Sequence, residues 1–397
     1  MSNDTLSKQI ESIYEEIIGL RRELHRHPEL SFKEFETAER IEEFLARHDI
    51  PHERISGTGV IAYVDGLNAC REKPVVLRAD IDALHVKEAT GLDFSSVNEG
   101  VMHACGHDIH TACLAGTLAI LNNNRDKFNG SVMGLFQPGE EICPGGASVL
   151  IEAGLFEGKE PIAVIGQHVS PEIMTGKLGF REGMYMASSD EIHIKVKGTG
   201  GHGGLPHLLT DPVVAAAQII TSLQQIVSRD TDASIPTVLS IGKVIADGAT
   251  NIIPSEVVIA GTLRTMDEEI RKAAKQRINE IINGTCLAYG VTAEINIIDG
   301  FPYVVNDPET TNAVRDTAEK LVGKENIIDL GIRMTAEDFG FYSQRYPSVF
   351  YRLGVGFPDG RTRGGLHTST FIANEEAVKY GMALMVSAAY RFLSDSR

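Results

Sequence analysis

Asp190-Glu-Ile-His-Ile-Lys-Val-Lys197 alternates polar and apolar residues along its whole length. A period of two is the pattern of a strand that buries one face and wets the other. The residues that follow predict a helix over 211–228, strands over 237–244 and 256–264, a helix over 268–289 and a strand over 292–298. That order, β-α-β-β-α-β, is the order of a ferredoxin-like unit.

On either side the texture is different. Gly59-Val-Ile-Ala-Tyr-Val64, Pro74-Val-Val-Leu-Arg-Ala79, Ser131-Val-Met-Gly-Leu-Phe136 and Ile162-Ala-Val-Ile165 are short apolar runs, as in strands covered on both faces. A helix-like segment over 111–121 lies between them. Before them, apolar residues recur at helical spacing (Ile10, Ile13, Ile17, Leu20, Leu24, then Phe35, Ala38, Ile41, Leu45), interrupted at Pro28. After Gly300 the mixed character returns, with helices expected over 309–322 and 374–393 and a short strand over 348–353. The simplest organisation is one α/β domain over 1–181 and 299–397, interrupted by a smaller α+β domain over 182–298.

The charge balance narrows the class. With 37 Lys+Arg against 54 Asp+Glu the net charge is −17, which repels a phosphate backbone, so nucleic acid is not an expected partner. No apolar run reaches the roughly 18 residues of a membrane span, and MSNDTLSKQIESIYEEI lacks the basic-then-apolar order of a signal peptide. A cytoplasmic protein is the expectation. The five cysteines, Cys70, Cys105, Cys113, Cys143 and Cys286, are odd in number and scattered, unlike a disulfide framework.

Cys105 differs from the others. His103-Ala-Cys-Gly-His-Asp-Ile-His110 packs three histidines, a cysteine and a carboxylate in front of an apolar helix. Imidazole, thiolate and carboxylate suit zinc and its first-row neighbours, although surface histidines and a helix cap by Asp108 are simpler readings. Gln137-Pro-Gly-Glu-Glu141 places two adjacent carboxylates after an apolar strand, where α/β proteins put their chemistry. One can bind metal while the other stays available as a general base; a solvated Glu-Glu pair is the alternative. His168 and His367 each lie beside a short apolar segment and could equally be structural. Spacing alone does not connect residues 105, 141, 168 and 367.

Nearly end to end, the chain resembles the amidohydrolase branch of the aminoacylase and carboxypeptidase G metallopeptidases, the branch of hippurate hydrolase, auxin-conjugate hydrolases and N-acetyldiaminopimelate deacetylase. The motifs that carry the resemblance are Arg21-Arg-Glu-Leu-His-Arg-His-Pro-Glu-Leu30, Arg78-Ala-Asp-Ile-Asp-Ala-Leu84, 103–110, 137–141, 200–207, Asn251-Ile-Ile-Pro254, Gly261-Thr-Leu-Arg264 and 365–371. It implies a mixed-sheet, zinc-peptidase-like catalytic domain with an inserted lid and dimerisation domain. It implies two divalent cations per subunit (zinc, manganese, cobalt or nickel) held by Cys105, His107, Glu141, His168 and His367, with Glu140 as base. Asp82 corresponds to a carboxylate that orients a ligand histidine, and Asp108 and His110 are offered for the same support. His202 corresponds to a residue that serves the partner subunit's oxyanion, so a homodimer is implied; Asn251 and Arg264 correspond to substrate contacts. The chain departs from the family at His85, where proline is usual, and at Gly203-Gly204, where an alanine pair is usual; both bear on substrate preference.

The implied activity is metal-dependent hydrolysis of N-acyl amino acids, acetyl, benzoyl or similar, to a carboxylic acid and a free amino acid. Three other readings remain: a dipeptidase or carboxypeptidase on the same site, a catalytically silent metal-binding interaction protein, and a hydrolase using Cys105 as nucleophile.

Overall fold

The computed structural model describes residues 2–359 and 364–394. It divides into two units: Met1–Gly183 with Val305–Ile332 and Phe341–Arg397, and Met184–Val304 with Arg333–Gly340. The expected outer limits of the α/β domain, residues 1 and 397, lie outside the described residues.

In the first unit the apolar runs become an eight-stranded mixed sheet. From edge to edge its order is His52–Ile55, Gly59–Asp65, Ser131–Gln137, Val75–Asp80, Ala163–Met174, Ser348–Gly356, Leu178–Phe180 and Ile327–Asp329. The four central strands, from Ser131–Gln137 to Ser348–Gly356, run parallel, and their continuous burial explains why no alternation was visible. The short strands at 52–55, 178–180 and 327–329 are too brief for a periodic signal and were not anticipated.

Helices pack on the sheet and on one another. Helix α1 (Asn3–Arg26) buries Leu6, Ile10, Ile13, Ile17, Leu20 and Leu24, the stripe that its 3.6-residue period predicts. Helix α2 (Phe35–Arg47) starts after the Pro28 interruption. Helix α3 (His107–Asn122) is buried on all sides from His107 to Leu121 and sits in the core with α1 and Ala377–Ser394. Gly106 precedes it at φ 80°, and a Cβ there would lie 2.6 Å from Val169 Cγ2, so only glycine fits.

In the second unit, Asp190–Lys197 buries alternate residues, with Ile192, Ile194 and Val196 facing the helices Pro212–Leu223 and Glu268–Tyr289. Its antiparallel sheet has the order Thr237–Ile245, Glu256–Thr265, Asp190–Lys197, Thr292–Asp299, which is the ferredoxin-like arrangement. Buried Asp190 anchors the sheet to the second helix through Arg271 Nε at 2.8 Å, Arg271 Nη2 at 2.7 Å and Lys275 Nζ at 3.0 Å. Losing one partner of such a buried pair costs about 3–5 kcal/mol.

The boundaries differ from those expected. The unit begins at 184 and continues to 304, and residues 333–340, expected in the α/β domain, belong to it. Ala187 N–H donates to the carbonyls of Arg333 and Thr335, and Arg333 N–H to that of Tyr185. These bonds join positions far apart in sequence, which local patterns do not report.

Candidate metal centre and active site

Parallel strands deliver the functional side chains to one end of the sheet. Val75–Asp80 ends in Asp80 and leads to Asp82; Ser131–Gln137 leads into Glu140 and Glu141; Ala163–Met174 carries His168, paired in register with Arg352. The first turn of α3 contributes His107, with Cys105 just ahead of it. His367 comes from a turn at φ 63° whose N–H donates to the Ala104 carbonyl at 2.8 Å. This is the general rule for open α/β sheets, in which ligands gather beyond the carboxyl ends of the strands.

The connection that spacing could not make is now geometric. Cys105 Sγ lies 3.3 Å from His168 Nε2 and 3.3 Å from His367 Nε2. Glu141 Oε1 is 3.4 Å from His367 Nε2 and 3.9 Å from His107 Nε2. In each of the sets Cys105–His107–His168, Cys105–Glu141–His367 and His107–Glu140–Glu141, one donor atom per residue falls within 4.8 Å of the others. Cys105, His107, Glu140 and His168 are buried, Glu141 nearly so, and the His367 side chain is 55 % exposed.

Hydrogen bonds fix which imidazole nitrogen faces inward. His107 Nδ1 donates to Asp82 Oδ1 at 3.0 Å and His168 Nδ1 to the Val169 carbonyl at 2.8 Å, which leaves Nε2 of both turned toward Cys105. Asp82 Oδ2 also accepts from the Glu141 N–H at 2.9 Å, so one carboxylate braces two elements of the site. His110 Nδ1 donates to Asp80 Oδ1 at 2.5 Å, and its Nε2 accepts from the Val169 N–H at 2.9 Å, tying α3 to the backbone beside His168.

The same motif also contains residues that face elsewhere. Asp108 forms an ion pair with Arg21, whose Nε lies 2.9 Å away, and accepts a hydrogen bond from His25 Nδ1 at 2.8 Å, so it anchors α1 rather than a ligand histidine. His103 is buried with neither ring nitrogen hydrogen-bonded among the described residues; burial holds it neutral, lowered to about 4. Asp80, which sequence reasoning passed over, packs against both His107 and His110. Its signal was present: a second carboxylate two residues before Asp82, at the end of an apolar run.

Burial, then Glu141, Glu140 and Asp80, push the Cys105 thiol well above its usual range. Burial disfavours a charged His107, but Asp80 and Asp82 outweigh it and push that imidazole up to about 10. Burial and Arg352 hold His168 well below its ordinary value. His107 Nε2 and Glu141 Oε1 are buried side by side without hydrogen-bond partners among the described residues, an expensive arrangement unless a further group binds both. A divalent cation fits: it would satisfy both orphaned atoms, and thiolate, imidazole and carboxylate are its ordinary donors.

In the second unit, His202 lies in the two-residue strand Gly201–His202, exposed, and pairs with Ile252 next to Asn251. The Asn251 carbonyl accepts from the Gly203 N–H at 2.8 Å, and the Gly204 N–H donates to His202 Nδ1 at 3.0 Å. A Cβ on Gly204 would stand 3.2 Å from the His202 ring, so the glycine there leaves space around an imidazole that its own N–H helps to hold. Arg264 is on the strand Glu256–Thr265 of the four-stranded sheet, where Nη1 donates to the Met334 carbonyl at 3.2 Å.

Residues 76–391 match the model of peptidase family M20/M25/M40. N-acetyl-L-cysteine deacetylase of Bacillus subtilis is 38% identical over 403 residues, covering 99% of this chain and 94% of its own. N-acetyldiaminopimelate deacetylase of a Geobacillus species is 36% identical over 374 residues, covering 93% and 96%. A solved structure from Bacillus subtilis, described as a dinuclear metal binding peptidase from the M20 family, superposes with a TM-score of 0.82 at 34% identity, covering 97% and 99%. The chain thus belongs to peptidase family M20/M25/M40, in its amidohydrolase branch, and is a metal-dependent hydrolase.

Proposed function

We propose that the chain hydrolyses the amide bond of N-acyl amino acids, with Cys105, His107, Glu141, His168 and His367 holding two divalent cations and Glu140 acting as base. The observation that carries this is the set of overlapping donor groups formed by those six side chains, in which His107 Nε2 and Glu141 Oε1 are left without a hydrogen-bond partner among the described residues. Two cations supply Lewis acidity, polarising the amide carbonyl and favouring loss of a proton from water. Zinc, manganese, cobalt and nickel all suit the donor set.

The chain's own residues account for the rest. Glu140 takes a proton as water oxygen bonds to the carbonyl carbon, then passes it to the amide nitrogen as the C–N bond breaks, leaving a carboxylate and a free amine. Asp82 holds His107 in the tautomer that offers Nε2. Arg264 is assigned to the substrate α-carboxylate, which a guanidinium can grip through two hydrogen bonds, and Asn251 to the substrate amide.

His202 is assigned to the developing oxyanion of a second copy's site, the chain acting as a homodimer through its second unit. Its exposure, together with Leu208 at 72 % and Ile252 at 56 % exposed, supports that assignment. Mixing inactive Glu140→Gln and His202→Ala subunits should then restore activity, because a mixed dimer contains one site with both residues intact. Failure of the mixture to recover, with mixed dimers present on native mass spectrometry, places His202 outside the partner's reaction.

The experiment for the reaction itself is a panel of N-acetyl, N-benzoyl and indole-acetyl amino acids assayed with dipeptides of the same residues. Turnover of the acylated compounds, with KM raised about 10- to 100-fold by Arg264→Met and kcat little changed, is the expected result. A requirement for a free α-amino group would identify a dipeptidase instead.

A further inference from the structure

The segment Pro28-Glu-Leu-Ser-Phe-Lys-Glu34 joins α1 to α2 and takes no part in the reaction as derived so far. Several of its contacts lead to the site. Leu30 forms an isolated parallel bridge with Ala83, whose N–H donates to the Glu29 carbonyl at 2.8 Å. Ser31 Oγ donates to Asp82 Oδ2 at 2.7 Å, the oxygen that also receives the Glu141 N–H. Glu34 is completely buried, and its Oε1 accepts from the N–H groups of Phe32 at 2.8 Å and Gly139 at 2.9 Å while Oε2 accepts from Thr58 Oγ1 at 2.7 Å.

Gly139 stands immediately before Glu140. Its φ is 64°, and a Cβ there would come within 2.4 Å of the Phe32 ring, so the turn and this segment fit with no room between them. Phe32 is itself held at φ 62°, a strained conformation for a bulky residue, and the hydrogen bond from its N–H to Glu34 helps to keep it there.

We propose that Glu34 is a positioning residue for the hydrolytic site: by holding the Gly139 amide from beneath, it aims the adjacent Glu140 and Glu141, while Ser31 does the same for Asp82. The proposal rests on the reading of Glu140 as base and Glu141 as ligand. A displacement of about 1 Å in such groups costs on the order of 10²-fold in rate. What Glu34 supplies is reach and an acceptor, not charge.

That distinction gives the test. Glu34→Gln keeps Oε1 for both N–H groups, and the Thr58 hydroxyl, able to accept as well as donate, turns to meet the new amide. Glu34→Asp keeps the charge but withdraws the carboxylate by one methylene. Expected are kcat losses of roughly 10- to 100-fold in Glu34→Ala and Glu34→Asp with KM within about threefold, and recovery in Glu34→Gln to within a few-fold of the parent. The visible spectrum of the cobalt-loaded protein should shift in Ala and Asp and return in Gln. Where Glu34→Ala does not fold, the Asp and Gln pair decides alone. Kcat in Glu34→Asp within twofold of the parent, or a Gln variant as impaired as Asp, overturns the proposal. Glu140→Gln as control separates the two ideas: if it is fully active the underlying reading fails, and if it is inactive while Glu34→Asp is not, only the positioning role fails.

Discussion

Glu140→Gln is expected to lower kcat by about 10²- to 10⁴-fold, the range attributed to a general acid–base group, while leaving bound metal and thermal stability close to those of the parent. The substitution keeps size and shape in a buried position and removes only the ability to take the proton. On the proposed reading Glu140 serves both halves of the reaction, accepting from water and delivering to nitrogen. Metal content by plasma emission, read beside kcat, is the decisive pair of measurements. Metal lost together with activity would make Glu140 a ligand, and metal retained with full activity would move the base elsewhere.

Removing the metal should abolish turnover altogether, and adding zinc, manganese, cobalt or nickel should restore it. A hydrolase that used Cys105 as nucleophile would survive the chelator; its thiol, pushed upward by burial and three carboxylates, is in any case a poor source of thiolate. Affinity should also depend on pH with a definite sign. In the metal-free site His107, at about 10, carries a proton through the neutral range, and Cys105 is a thiol. Both must lose that proton to bind, so affinity rises with pH below about 10 by up to roughly two powers of ten per pH unit. Titration calorimetry in buffers of different ionisation enthalpy counts the protons released; a pH-independent affinity would remove His107 and Cys105 from the ligand set.

How much of this was legible in the sequence depends on the length scale of each contact. Asp190–Lys197 announced its sheet because alternation is a property of neighbouring residues, and the four apolar runs announced theirs because full burial needs no partner to be named. The cluster 103–110 was legible as ligand-rich, but its division was not. Cys105 and His107 face the site, whereas His103 and Asp108 face α1, and that depends on where His25 and Arg21 lie. His168 and His367 looked structural because their common neighbour, Cys105, is reached only through the strand order. Glu34 gave no signal, since a glutamate near a helix start ordinarily faces water; its burial follows from Gly139 and Thr58, both remote in sequence.

The return of residues 333–340 to the second unit bears on modularity. The chain passes between the units four times, at 183–184, 304–305, 332–333 and 340–341. An insertion joined at two points can be deleted, exchanged or transplanted as a cassette, but this one cannot. A chimera that grafts 184–304 from a relative would pair a foreign Ala187 region with the native Arg333 and Thr335, and would have to carry 333–340 along as a second, discontinuous segment. Substrate range in this architecture is therefore better redesigned by point substitution within both segments than by swapping the insert.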